Sequence, residues 1–426
     1  MRLIVKGKIF TGRGILEGSV LIEDGRIARI AREIRGQADE VLDYSKRGHL
    51  VLPGLVDIHV HMRDFEQSCE EDFHTGTGAA AMGGFTVVAD MPNTKPGVNK
   101  PTVLKEREHV AKDKALVDYG LYYGVPERGD HLVDEIKALA VGFKVFMQNE
   151  FYTDKRVLTE KVLEFASRKK MLVVAHAENP RFFVETQMGP AGTPEAEASA
   201  IKDIAGLALG RGFPLHVTHI SSAAGVSEFL SWKRRVKITA DTCPHYLLLS
   251  EDDVRLQGAV AKVHPPLKTK ADARVLLERL KDGGIDAISS DHAPHSPEEK
   301  KDLKSAPPGF PGLETTLSLL LTMVDKGLLG IEDILRACAA NPSKILGIDQ
   351  IGSIEEGKMG NLTVVDLHRR ARIDSKSFVS KAKYSPFEGR EVVGMPVATI
   401  VRGRPVMLDG EIVAQKGWGE NVKAYG

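Results

Sequence analysis

Eight short apolar runs recur through the middle of the chain, and their spacing limits the fold more than any other feature. They read "GLVDIHVH" (54–61), "GFTVVADM" (84–91), "DYGLYYGV" (118–125), "AVGFKVFM" (140–147), "MLVVAHA" (171–177), "PLHVTHI" (214–220), "VKITADT" (236–242) and "DAISSDH" (286–292). Stretches with helical periodicity separate most of them, for example "TVLKEREHVAKD" (102–113) and "RVLTEKVLEFASRKK" (156–170). Strands alternating with helices predict a parallel sheet with crossover helices. Eight of them predict an α/β fold, a (β/α)8 barrel of the TIM type, in which functional groups gather at the C-terminal ends of the strands.

The two ends of the chain have a different texture. Short alternating segments with turn signals appear at "RLIVKGKIF" (2–10), "GSVLIEDGRIARI" (18–30) and "GHLVLPG" (48–54), then again at "GNLTVVDL" (360–367) and "ATIVRGRPVMLDGEIV" (398–413). In both halves Asp-Gly sits between alternating runs, which is a hairpin signal. We therefore expect a small β-domain from residues 1–50 plus 355–426, and a catalytic barrel over 51–354. A length of 426 residues suits one barrel plus one smaller unit.

Lys+Arg and Asp+Glu are both 58, so no net field recommends nucleic acid or an anionic membrane as a partner. Three widely spaced cysteines, Cys69, Cys243 and Cys338, argue against a disulfide framework and suit a reducing, cytoplasmic setting. No signal peptide is visible at "MRLIVKGKIF". The longest apolar stretch, "LSLLLTMV" (317–324), is far short of the roughly 20 residues that span a bilayer and reads as a buried helix. "GTGAAAMGG" (76–84) has the glycines of a nucleotide loop but follows no strand; its small residues suit a tightly packed helix ending at Gly83–Gly84.

Several of the eight runs close on ionisable residues. His59 and His61, two apart, leave the same face of one strand. Lys144 lies inside "GFKVF", His176 closes "LVVAHAEN", His219 closes "HVTHIS" and Asp291 closes "ISSDHAPH". Each alone has an ordinary reading: a satisfied core histidine for His176, a helix N-cap for Asp291, a snorkelling lysine for Lys144. His216, three residues before His219 and on the other strand face, is assigned such an ordinary role. Four imidazoles and a carboxylate at the ends of barrel strands make a site for a borderline divalent ion such as zinc. An ammonium beside cations would be repelled, and burial favours the neutral amine, which can add carbon dioxide to form a bridging carbamate.

The motifs "GLVDIHVHMRD", "GGFTVVADMPNT", "GFKVFM", "VVAHAEN", "VTHIS" and "SSDHAPH" resemble those of the amidohydrolase superfamily, and specifically of the dihydroorotases. The likeness extends through "ACAANPSKILG" (337–347) and "GNLTVVDL", nearly the whole chain. It implies two Zn2+ or similar ions. His59, His61 and Asp291 would hold one and His176 and His219 the other, with carboxylated Lys144 and a hydroxide bridging them. It implies Asp291 as general acid and base, and Arg63, Asn93 and His295 as ligands of the substrate carboxylate. The implied reaction is the reversible cyclisation of N-carbamoyl-L-aspartate to dihydroorotate in pyrimidine synthesis. A homo-oligomer is the expected assembly, and association with aspartate transcarbamoylase is left open.

Two departures stand out. This chain has "RDFE" (63–66) where relatives often read Arg-Asp-Pro-Gly, and "VHPP" (263–266) where many carry Asn-Pro-Pro, which makes His264 the expected hydrogen-bond donor to substrate there. Asp64 is assigned a supporting role. "QNEFYTD" (148–154) is expected as a loop over the substrate, and "SPEEKKDLKSAPPGFPGLE" (296–314) reads either as a second cover or as a stiff turn. The rival functions are an allantoinase or hydantoinase with the same metals, and a silent scaffold that would have lost ligands. Arg63 and Asn93 speak against the first, and the complete ligand set against the second.

Overall fold

The computed structural model describes residues 1–12 and 14–425. Among them, eight parallel strands follow one another in chain order around one sheet: Leu55–Val60, Phe85–Asp90, Asp118–Tyr123, Ala140–Phe146, Leu172–His176, Leu215–Val217, Ile238–Thr242 and Ala287–Ile288. Helices cover the outer face, so the strands are sealed on both sides and read as nearly continuous apolar runs. The ring closes where Val60 bridges His292 in parallel and the His61 N–H donates to the His292 carbonyl at 2.8 Å. This is the expected barrel.

The glycine-rich stretch after the first strand is indeed a barrel helix, Phe73–Met82. It opens on a capping box between Asp72 and Thr75. A Cβ at Gly76 would lie 2.3 Å from Met62 Sδ, and one at Gly83 would lie 2.2 Å from the Leu313 carbonyl. The small residues allow close packing and leave no room for a nucleotide. Gly84, at φ +84°, turns the chain into the second strand. "LSLLLTMV" lies within helix Leu313–Asp325, where Leu317 and Leu320 are buried. Among the described residues, no helix is long and apolar enough to cross a membrane.

Strands from both termini build a second, mixed sheet. Leu50–Pro53 pairs antiparallel with Leu362–Arg372, joining an N-terminal set that starts at Arg2–Thr11 to a C-terminal set that ends at Glu411–Ile412. Both Asp-Gly hairpins form as expected. Asp24 and Gly25 have φ of +48° and +82°, and Asp409 and Gly410 +47° and +90°, the paired left-handed conformation of a type I′ turn. Val5, Val20, Ile22, Val51, Leu362 and Ile400 fill the core of this sheet.

Beyond that sheet the chain returns to the barrel. The Tyr119 N–H donates to the Glu420 carbonyl at 2.9 Å, and buried Asp118 accepts from the Glu420 N–H at 2.9 Å, from the Tyr425 hydroxyl and from Arg402. One carboxylate at the base of the third barrel strand thus ties down the C-terminal segment. Asp118→Ala removes the buried carboxylate partner of the Arg402 guanidinium and leaves it only the exposed Glu420 at 3.5 Å as an ion-pair partner. It should cost about 3–5 kcal/mol of stability, read as a lowered midpoint in chemical denaturation.

Candidate metal centre

At the C-terminal mouth of the barrel a cavity of about 210 Å³ is lined by His59, His61, His176, His219 and Asp291, with Arg63, Asn93, His264 and His295 around them. The structure therefore brings together the expected residues from the first, fifth, sixth and eighth strands. The Nε2 atoms of His59 and His61 each lie 3.4 Å from Asp291 Oδ1. His176 Nδ1 lies 3.0 Å from His219 Nε2, and the His59 and His219 ring centroids are 5.1 Å apart. Two donor groups thus share one cup.

Each ring is aimed by the nitrogen it does not present. The His59 Nδ1–H donates to Thr218 Oγ1 at 2.5 Å, and the His61 Nδ1–H to Asn93 Oδ1 at 2.7 Å, which leaves both Nε2 lone pairs facing Asp291. The His176 Nε2–H donates to Glu178 Oε2 at 2.7 Å and leaves Nδ1 facing His219. Such outer partners fix the tautomer and orientation of a metal-binding imidazole. Burial, reinforced by neighbouring positive charge, holds His59, His61 and His219 well below the usual histidine range and His176 down at about 4. Neutral imidazole is the form that binds a metal.

Lys144 sits beneath the cup. It is fully buried, its ammonium has no hydrogen-bond partner, and it lies 4.9 Å over the Phe146 ring. Burial drives this amine toward its neutral form against the pull of Asp291, while burial lifts the Asp291 carboxyl above its usual range. A buried ammonium without an acceptor is unfavourable. Four neutral imidazoles, one carboxylate and an orphaned amine fit a pair of divalent ions, and a carbamate on Lys144 would complete the donor set with oxygen.

Two more groups of donors come within 4.8 Å of one another, His176–Glu178–His264 and Glu70–His295–Glu299. Their atoms have other engagements. Glu178 holds His176, and it also lies 3.2 Å from His264 Nε2. Burial opposes its ionisation, but the His264 charge and the His176 hydrogen bond outweigh that and hold Glu178 at about 2. Glu70 lies 3.1 Å from His295 Nδ1 and 3.6 Å from Arg63 Nε.

Arg63 leaves the first strand in left-handed backbone, φ +48°, followed by Asp64 and Phe65 at +59° and +51°. Its carbonyl accepts from Arg107 Nη1 at 2.7 Å, and Arg107 in turn makes a buried pair with Asp90 at 2.7 Å. Asp64 supports this turn by pairing with Lys114 at 2.9 Å and accepting the Phe73 N–H at 3.2 Å. The Arg63 Nε donates to the Pro294 carbonyl at 3.1 Å and Nη2 lies 3.0 Å from His295 Nε2. Nη1 has no partner among the described residues. Asn93 is exposed at the rim, its oxygen given to His61. His264 stacks on His176 with ring centroids 4.7 Å apart, and its Nε2 lies 2.9 Å from the Gln148 amide nitrogen.

The segment after Lys144 begins as a short helix, Met147–Glu150, rather than as a loop. The Glu150 carboxylate accepts the Phe146 N–H at 2.7 Å, and Phe151 is buried, which folds the segment inward. Pro307, Pro308 and Gly309 form part of the cavity wall, and the Lys300 ammonium straps that stretch by donating to the carbonyls of Pro307 (2.8 Å) and Gly309 (2.9 Å).

Sequence reading missed Glu178, Thr218 and Asp241. Asp241 is fully buried and accepts from the His219 N–H (2.6 Å), Ser289 Oγ (2.9 Å), Thr218 Oγ1 (3.1 Å) and His216 Nε2 (2.7 Å). A signal was present: "TADT" places an acid near the end of the one late strand to which no role was given, and Glu178 follows His176 by two residues, just past the end of the fifth strand. His216 holds Asp241 and Thr239 inside the barrel, an ordinary buried role.

The amidohydrolase family profile matches residues 50–406. The chain belongs to the amidohydrolase family. As a member it is a hydrolase, and its cluster of histidines and Asp291 is a divalent-metal site. A dihydroorotase of Pyrococcus furiosus is 36% identical over 97% of this chain and 95% of its own length. One of Methanothermobacter thermautotrophicus is also 36% identical, over 93% and 92%. Among solved structures, the L-hydantoinase (dihydropyrimidinase) of Arthrobacter aurescens superimposes with a TM-score of 0.92 at 30% identity, covering 98% of both chains. The D-hydantoinase (dihydropyrimidinase) of a Thermus species gives 0.90 at 26% identity, covering 99% of this chain and 98% of its own.

Glu178 carries a direct test of this amidohydrolase site. Glu178→Ala frees the His176 ring, and divalent-ion affinity should fall by about 10–100-fold, measured by chelator competition on the purified protein. Thr218→Val should weaken binding in the same direction through His59.

Proposed function

We propose that the chain catalyses the reversible interconversion of dihydroorotate and N-carbamoyl-L-aspartate, the dihydroorotase reaction. The observation that carries this reading is Arg63: a guanidinium at the cavity wall, its backbone fixed by the Arg107–Asp90 pair, with Nη1 free to meet a ligand. A planar fork suits a carboxylate, and a carboxylate is what distinguishes dihydroorotate from an uncharged cyclic amide. The dihydroorotases at 36% identity over nearly the full chain support the same reading.

His59, His61 and Asp291 would hold one divalent ion and His176 and His219 a second, with Lys144, as a carbamate, contributing to both. Bound there, zinc or similar ions would supply Lewis acidity to the ring carbonyl and a water nucleophile at neutral pH. Asp291 accepts the proton of the attacking water and delivers it to the departing ring nitrogen; in the cyclising direction it returns the same proton. Arg63 binds the substrate carboxylate and sets the ring over the cup, with His295 packed against the guanidinium to hold it there. The Asn93 amide nitrogen, its oxygen already engaged, is left to donate to substrate. His264, at the outer edge, donates to the far side of the ring.

The likeness to hydantoinases in three dimensions favours a second reading, hydrolysis of an uncharged cyclic ring at the same centre. Initial rates of the zinc- and bicarbonate-treated protein on dihydroorotate, carbamoyl-aspartate, hydantoin and dihydrouracil separate the two. The expected outcome is turnover of the charged pair, with Arg63→Met lowering kcat/KM by about 100-fold or more. Asp291→Asn and Lys144→Ala should abolish it. Turnover of the uncharged rings with Arg63→Met harmless would sink the dihydroorotase reading.

A further inference from the structure

At the opposite end of the barrel the N-terminal ends of the later strands surround a second cavity, of about 430 Å³. The reaction proposed above makes no use of it. Five lysines stand in its wall, each from a different segment. Lys137 lies in helix Glu135–Leu139, Lys170 caps helix Arg156–Lys169, and Lys237 directly precedes the seventh strand. Lys344 lies in helix Asn341–Leu346 and Lys423 in the terminal turn Val422–Tyr425.

Asp286 is the acidic residue in that wall, and it is already engaged: Lys233 Nζ lies 2.8 Å from one oxygen and the Ala240 N–H donates to the other at 2.9 Å. None of the five ammonium groups has an ion-pair or hydrogen-bond partner among the described residues. Lys169, the immediate neighbour of Lys170, pairs with Asp134 at 2.7 Å. In a chain with 58 acidic and 58 basic side chains, this is a local excess of positive charge. The groups feel one another: partial burial and the Lys137 charge hold the Lys423 ammonium below its usual range. The floor is apolar, with Leu172, Leu215 and Leu346 buried beneath the ring of charge.

We propose that this basal cavity binds a polyphosphate chain, as carried by a nucleoside triphosphate or by inorganic polyphosphate. Its volume falls in the range of small-molecule sites, about 300–1,000 Å³. Five point charges in so small a space call for a ligand with several negative charges close together. The wall contains no arginine, so the planar fork that selects carboxylates is missing, while lysine binds phosphate as a point charge. The apolar floor offers a face on which a nucleobase can rest.

The test is calorimetric titration of the metal-loaded full chain with tripolyphosphate, ATP, AMP and adenosine, beside the Lys170→Gln/Lys237→Gln/Lys344→Gln variant. These lysines are exposed and lie outside the catalytic cup, so the variant should keep its thermal midpoint and its turnover without anion. Single Lys170→Gln and Lys344→Gln variants provide graded versions of the same change. Tripolyphosphate and ATP should bind saturably, at least 10-fold more tightly than AMP, and at least 10-fold more weakly to the triple variant. ATP binding 10-fold or more tighter than tripolyphosphate would identify a nucleotide as the ligand, and equal affinity the phosphate chain alone. Absence of saturable binding overturns the proposal. So does binding unchanged in the triple variant, which would place the anion on the catalytic cations instead.

Discussion

The catalytic cup depends on one seam, the closure of the barrel between its first and last strands. His59 and His61 meet Asp291 only because Asp57 takes the His59 N–H on one oxygen (3.0 Å) and the Ser290 N–H on the other (2.9 Å). Val60 and His292 then continue the pairing. Side chains alternate along a strand, so a slip of one residue at this seam would turn both imidazoles outward. Asp57 is a costly fastener. It is fully buried, and burial lifts its carboxyl to about 7. A hydrophobic residue would pack there at less expense in desolvation, but it could not take both N–H groups and set the register.

The same logic recurs around the cup. Asp241 gathers the His219 backbone, Thr218, Ser289 and His216 onto one carboxylate, so the sixth, seventh and eighth strands are locked at the height of the ligands. Asp90 does this on the other side through Arg107 and the Met62 N–H at 2.8 Å, and the Arg63 turn hangs from that pair. Buried charges of this kind contribute little net stability when matched. What they fix is position, and a two-ion site tolerates little error in position.

Much of this was legible in the sequence because barrel geometry is periodic. Two-residue spacing put His59 and His61 on one face, and the strand count placed His176, His219 and Asp291 at one mouth. The two Asp-Gly turns announced their hairpins through backbone chemistry alone. The supporting acids were harder to read: the partners of Asp241 lie on neighbouring strands, distant in sequence, and Glu178, though only two residues from His176, lies in a segment that outwardly resembles any strand exit. Asp241 and Glu178 look like any polar residue at a strand end until the strands are laid side by side. The Asn93 oxygen holds the His61 ring, a pairing across two strand exits that no local pattern encodes. The segment after Lys144 is expected as a loop from the resemblance to the dihydroorotases, and a short helix, Met147–Glu150, opens it. Burial of Phe151 draws the following turn inward.

His219 and Asp291 share an unusual backbone with Arg63: φ is +47°, +49° and +48°. Left-handed backbone at a residue with a side chain costs about 1–2 kcal/mol. Glycine at any of the three would be easier for the fold and useless for the chemistry. Stability and activity therefore pull in opposite directions at these positions. In a duplicate copy released from selection for turnover, drift toward a sturdier barrel would erase these side chains early. The descendants most comfortable in this fold would be those that had stopped being enzymes.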